Sequence, residues 1–254
     1  MAHSIPRRLG WSDALVLAHR YDDAILYLAD ILRLLVHQEQ SEVAPCLARV
    51  YFEYANAYLL RVERARDENQ HISQEDSELA LTNLQIARML LERHGAGACV
   101  PPSERAAHDL LARVLVRTGD LHAGKEEHVA AAEAYKEALR LRTDALGETA
   151  TVRVVDIHTF LSISLAAGGQ GEKDLAAARE HYDKAVALIK VCAAGASSSA
   201  SAASARRSGP SEASAGSAQW SANSDEKAVA SVRAAAVTLF GAKQALQQAG
   251  IQMD

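Results

Sequence analysis

Glu127-His128-Val129-Ala130-Ala131-Ala132-Glu133-Ala134-Tyr135-Lys136-Glu137-Ala138-Leu139-Arg140-Leu141-Arg142 is the segment from which the fold can be read. Ala131, Tyr135 and Ala138 stand at offsets of four and seven, which puts them on one face of a helix. Alanine is the best helix former, and its small side chain lets a second helix come close. The same face recurs as Ala24, Leu28 and Ile31, as Ala80, Leu84 and Ala87, and as Ala178, Tyr182 and Ala185. Such recurrence signals an internal helical repeat.

Each of these helices is preceded by a second motif, a large residue, a small one, then a large one three later. The four sets are Trp11, Ser12, Leu15; Tyr54, Ala55, Tyr58; Leu111, Ala112, Leu115; and Leu161, Ser162, Leu165. From the first alanine of one second helix to the small residue of the next first helix, the intervals are 31, 32 and 31 residues. Stacked helical pairs impose this near-constancy, because every pair must reach the same place on its neighbour. The pattern is that of the tetratricopeptide repeat, whose ordinary period is about 34 residues. It predicts an all-α, tetratricopeptide-like solenoid of four repeats over residues 8–193.

The distance within a pair varies. Ser12 to Ala24 spans 12 residues, and the corresponding spans in the second, third and fourth pairs are longer by 13, 7 and 4. Read as turn insertions, these lie where solenoids commonly carry binding function. The third contains Gly119 to Glu127 and the fourth Gly168 to Gly171. The second holds an acidic insertion, residues 67–78, with Asp67, Glu68, Glu75, Asp76 and Glu78 and no Lys or Arg. The chain has 27 basic and 32 acidic side chains, a net −5, so this one segment accounts for the whole excess. That balance disfavours binding nucleic acid by phosphate neutralisation.

Hydrophobic residues make up 49% of the chain but aromatics only 5%, and five prolines leave room for long helices. Cys46, Cys99 and Cys192 are odd in number and far apart, which suits a reducing compartment. The first residues lack the apolar core of a signal peptide, and no stretch reaches the roughly 20 apolar residues of a membrane span. Residues 194–222, with ten serines and ten alanines, read as a flexible linker. Residues 223–250 read as a C-terminal capping helix, with Ser224 as N-cap before Asp225 and Glu226, and Gly250 as its stop. Its apolar face is expected to include Val229, Val232, Ala236, Leu239, Phe240 and Leu246.

Chemistry-bearing motifs do not emerge. His122 and His128, with Glu126 and Glu127, straddle a glycine turn rather than sharing a helical face, and no zinc spacing occurs. Gly168, Gly169 and Gly171 lack the strand and the Lys-Ser/Thr of a phosphate cradle. No nucleophile set has local context. The expectation is a protein that is not an enzyme and takes no cofactor and no metal.

Three stretches resemble the nuclear autoantigenic sperm protein (NASP) family of tetratricopeptide histone chaperones. They are Glu53-Tyr54-Ala55-Asn56-Ala57-Tyr58-Leu59-Leu60; Glu78-Leu79-Ala80 through Ala87-Arg88-Met89-Leu90-Leu91; and Gly119-Asp120 with Glu127 through Tyr135 and Leu139. The likeness covers about residues 10 to 192. It implies four repeats, an acidic interruption in the second and a long C-terminal helix. It further implies that a groove holds the C-terminal helix of histone three and the histone three-four pair, with nuclear residence and shuttling through the cytoplasm. Carried over by position, the histone contacts would be Asp120, Asp156, Thr159 and Ile163, with Asp67, Glu68, Glu75, Asp76 and Glu78 meeting the basic histone surface. The family commonly has an aromatic where Thr159 stands. Neither direct nucleic-acid binding nor a membrane role is implied, and a homodimer is compatible. A kinesin-light-chain-like adaptor for cargo or signalling partners is the alternative, since Glu137 through Arg142 and Ala145-Leu146-Gly147 resemble the end of that type's second helix. A regulatory subunit of an enzyme complex is a third.

Overall fold

The computed structural model describes residues 5–39, 44–71, 73–98, 103–146, 152–169, 171–207 and 234–251. Among these the chain is all helical, without a strand. The helices are α1 (Ile5–Leu17), α2 (Tyr21–Glu39), α3 (Ala48–Asp67), α4 (Gln74–His94), α5 (Glu104–Gly124), α6 (His128–Leu146), α7 (Val152–Gly168), α8 (Glu172–Arg207) and α9 (234–248). Short 3-10 turns, Pro45–Leu47 and Gly95–Ala98, precede α3 and follow α4. Consecutive helices pack together, α1 on α2, α3 on α4, α5 on α6 and α7 on α8.

The repeat positions form the core. Ser12, Ala55, Ala112 and Ser162 are all buried, and so are Ala24, Leu28, Ile31, Ala80, Leu84, Ala87, Ala131, Tyr135, Ala138, Ala178 and Ala185. Tyr182 is partly buried. Small side chains at these points let paired helices approach, and filling the space between them removes apolar surface from water. Trp11 departs from the pattern. It is 62% exposed, and Leu9, two residues earlier, is buried in its stead. Ser12 is sealed by a hydrogen bond from its hydroxyl to the Leu9 carbonyl, 2.7 Å.

Three helices end in the same way. His19, Asn69 and Glu126 adopt positive φ (56°, 51° and 62°) at the turns after α1, α3 and α5. In each, the next amide donates five residues back, Arg20 to Leu15, Gln70 to Ala65 and Glu127 to His122, at 2.7 to 2.9 Å. The left-handed residue itself donates three residues back, to Val16, Arg66 and Ala123. This is the Schellman stop, here built without glycine. It dates the lengthening of the pairs. Seven residues separate Ser12 from His19, but fourteen separate Ala55 from Asn69 and Ala112 from Glu126. From the stop to the buried alanine the distance is five residues for His19 to Ala24 and Glu126 to Ala131, and eleven for Asn69 to Ala80.

The extra residues of the third pair, expected in a turn, are therefore two added turns of helix α5. Of the thirteen in the second pair, seven likewise lengthen α3, three lengthen the start of α4, and only three lengthen the turn. Four of the five acids of the acidic segment are helical: Asp67 ends α3, and Glu75, Asp76 and Glu78 lie in the first turns of α4. Ser73 is the N-cap of α4, its hydroxyl accepting from the Asp76 amide at 3.3 Å, and acids beside a helix N-terminus are favourable.

The chain divides into two compact units, 1–147 and 148–254. The N-terminal unit contains the first three pairs, and the C-terminal unit contains α7, α8 and α9. In the C-terminal unit α7 and α8 pack together, and Ala235 and Leu239 of α9 cluster with Val155 and Ala185. Helix α8 runs through Arg207, well into the segment expected to be a linker from residue 194. The rest of that segment and the expected N-cap at Ser224 lie outside the described residues, as do Val229 and Val232. The buried stripe of α9 is Ala235, Leu239, Ala242 and Leu246, which leaves Ala236 and Phe240 exposed.

Candidate functional site: an acid-lined notch

The unequal lengths of the first two pairs create a cavity. Helix α3 overhangs the turn between α1 and α2, and Arg64 on its last turns donates to the His19 carbonyl at 3.1 Å. Under the overhang lies an open pocket of about 420 Å³, lined by His19, Tyr21, Leu60, Glu63, Arg64, Asp67 and Glu68. Three carboxylates face one guanidinium there. Arg64 pairs with Glu68 at 2.6 Å, both side chains substantially exposed, so that bond is weakly held. Asn56, Leu60, Glu63 and Asp67 follow one another at offsets of four, three and four, on one face of α3. Asn56 Oδ1 is buried without a hydrogen-bond partner and lies outside the lining of the notch.

Glu63 is the centre of this site. Burial pushes its carboxyl above the usual range, and Asp120 and Asp67 push it further, while Arg117 and Arg66 pull it back. Arg117 bridges Glu63 (3.2 Å) and Asp120 (3.1 Å), tying α5 to α3. Glu63 and Asp120 occupy the same register, each eight residues after the buried small residue of its helix, Ala55 and Ala112. Both sit in the two turns by which α3 and α5 exceed α1. The sequence signal for Glu63 was this register, hidden while the extra residues were counted as turn.

Three of the expected contacts, Asp67, Glu68 and Asp120, thus gather around Glu63. Asp120 also serves the fold. Its Oδ1 accepts from the Tyr135 hydroxyl at 2.8 Å, and Tyr135 is buried over Gly119, where an added Cβ would stand 2.6 Å from the ring. Desolvation and the Asp120 charge push that phenol far above its ordinary range.

Asp76 lies elsewhere. Arg61 grips it with two nitrogens, Nε at 2.9 Å, also reaches Asp22 at 2.6 Å, and stacks over Tyr58 at 5.2 Å. With 13% of its side chain exposed, Asp76 is a tie between α3 and α4 and not a surface for a partner. Glu78 is exposed and accepts from Gln74 at 2.9 Å, and Glu75 is exposed on the first turn of α4.

In the C-terminal unit, Asp156 and Ile163 are half-buried on α7. Thr159 is completely buried, its hydroxyl donating to the Val155 carbonyl at 2.8 Å, so it is a core residue and its expected histone contact does not stand. A threonine can fill this space because the backbone one turn back satisfies its hydroxyl.

No protein-family model and no curated protein matches this chain. The notch therefore has to be judged on its chemistry. Among the described residues no group of three or more His, Cys, Asp or Glu is placed to hold a metal ion, and no helix is long and apolar enough to cross a membrane. Cys46 and Cys192 are free, half-buried thiols raised by burial, and Cys99 lies outside the described residues. What the notch offers is exposed negative charge at Asp67 and Glu68 and a partly desolvated carboxyl at Glu63, beside Leu60.

Proposed function

We propose that the chain is a histone chaperone of the NASP kind, built on four tetratricopeptide-like repeats, that takes a basic amphipathic helix along the face of α3. The supporting observation is the notch, where Glu63, Asp67 and Glu68 outnumber Arg64 beside Leu60. Leu17 is 81% exposed in the same register on α1, five residues after the buried small residue, as Leu60 is on α3. A helix with lysines or arginines on one edge and aliphatic side chains on the other suits such a surface. The partners proposed are the C-terminal helix of histone three and the histone three-four pair, for histone supply and nucleosome assembly in the nucleus. A basic side chain entering beside Glu63 would offset the desolvation that now raises its carboxyl. Clustered carboxylates chiefly speed encounter and exclude acidic partners.

The test is capture of purified core histones at moderate salt by the immobilised full chain. Retention of histones three and four, lost on adding acidic competitor peptide, is expected. Absence of retention, or equal retention of any lysine-rich protein, counts against the reading, and preferential capture of a motor or cargo peptide would favour the adaptor alternative.

A further inference from the structure

His158 and His181 meet inside the C-terminal unit, one on α7 and one on α8, with Nδ1 to Nδ1 at 2.9 Å and the ring centroids 5.1 Å apart. His158 is buried and His181 partly so. Repeat packing does not require two imidazoles here. The same register lies four residues before the small residue of the first helix and three after the first alanine of the second. There the second pair has Tyr51 and Asn83, and the third has His108 and Ala134.

A hydrogen bond between two imidazole nitrogens needs one Nδ1 protonated and the other bare. Two neutral rings of opposite tautomer meet that need, and so does one imidazolium beside one neutral ring. Two imidazoliums do not. Both nitrogens then carry hydrogen, nothing accepts, and two positive charges face each other out of water. The second proton therefore has no place while α7 and α8 touch at this level. Of the other charges on α8, Lys184 opposes a proton on His158 and Glu180 favours one. Glu180 is already engaged by the Lys184 ammonium at 2.6 Å. The remaining charged side chains of the packed helices are Arg153 and Asp156 on α7 itself and Lys243 on α9.

The imidazoles sit beside the dock of α9. Val155 lies one turn before His158 on α7, and Ala185 one turn after His181 on α8. Those two residues cluster with Ala235 and Leu239 of α9. Parting α7 from α8 at the imidazoles divides the pad on which α9 rests.

We propose that the His158–His181 pair is an acid-operated latch, whose second proton parts α7 from α8 and releases α9 while the N-terminal unit keeps its fold. Local opening of this kind is set by the free energy of one element and not of the whole chain. Burial first, then His181 and Lys184, hold the His158 pKa down to about 4. In the opened state the ring recovers its ordinary value and takes up the proton first. Closure is therefore full above about pH 6.5 and is lost as pH falls toward 4. Between pH 8 and pH 5 the ratio of open to closed molecules should rise about thirtyfold.

Hydrogen–deuterium exchange of the full chain tests this, with each rate corrected for intrinsic exchange at that pH. Protection in α7 and α9 should fall about thirtyfold from pH 8 to pH 5 and return on neutralisation, while protection in α3 changes less than about threefold. His158→Phe should abolish the loss in α7 and α9. His181→Gln offers an acceptor that never becomes a cation, so it should cut the loss to less than about tenfold. This second substitution, at a partly buried position, decides the matter if phenylalanine at 158 prevents folding. An equal fall in α3, α7 and α9, no fall in α9, or a thirtyfold loss that survives the substitutions would overturn the proposal.

Discussion

The acidic segment 67–78 contains two populations that composition cannot tell apart. Asp67 and Glu68 border an open notch with Glu63, and an exposed bond to Arg64 holds Glu68 loosely. Asp76 is locked by Arg61 and its amide donates to the Ser73 cap of α4, and Glu75 and Glu78 share that helix end. Five carboxylates without an intervening base looked like one patch. Arginines one to two turns upstream on α3, Arg61 and Arg64, divide it. Charge that binds a partner is charge the fold has not already used.

The locked and open groups should respond differently to perturbation. The largest effect is expected at a group sealed wholly into the fold. His158 is buried, its Nδ1 2.9 Å from that of His181, so one ring donates to the other. Burial first, then His181 and Lys184, depress its pKa to about 4, against a small opposing pull from Glu180. The unfolded chain then takes up this proton before the folded one, so stability is full above about pH 6.5 and is lost as pH falls toward 4, by roughly 2–3 kcal/mol. Urea titrations at pH 7 and 5 should show the drop, and His158→Phe should flatten it. An unchanged slope in that variant would assign the acid sensitivity to other groups.

Gly119→Ala comes next. The gain in helix propensity is about 1 kcal/mol, but the clash with Tyr135 costs more, so a net loss of about 2 kcal/mol in chemical denaturation is expected. A stabilised variant would mean that Tyr135 and its bond to Asp120 can move aside. Asp76→Ala should cost a similar ~2 kcal/mol, because it strips Arg61 of its better-buried partner and leaves Asp22. Asp67→Ala, on the open side, should shift stability by less than about 0.5 kcal/mol. If Asp67→Ala proved as costly as Asp76→Ala, the distinction between open and locked acids would fail.

The helical pairing was legible because the repeat spacing is set by close packing, and Ala24, Ala80, Ala131 and Ala178 can be recognised by size and offset alone. The helix ends were less so. Schellman stops at His19, Asn69 and Glu126 use residues that do not announce a turn as glycine does, so added helix in α3 and α5 passed for added loop. Ser73-Gln74-Glu75-Asp76 did contain a readable N-cap signal. Trp11 was misplaced by two positions in the pattern, since Leu9 fills the core. Thr159 shows the limit of reasoning by position: a face shared with Asp156 and Ile163 on paper is divided between core and surface by what packs against α7. Glu63 escaped because its significance arises from its neighbours across helices, Arg117 and Asp120.

The central claim is that position on α3, and not total negative charge, carries histone binding. It is tested most directly by comparing two charge reversals of equal size in fluorescence titrations with the purified histone three-four pair. Asp67→Lys with Glu68→Lys should weaken binding at least tenfold with Tm unchanged within about 2 °C, whereas Glu75→Lys with Glu78→Lys should change affinity less than about threefold. Equal losses from both pairs would reduce the notch to bulk electrostatics, and intact binding in the first pair would contradict the account.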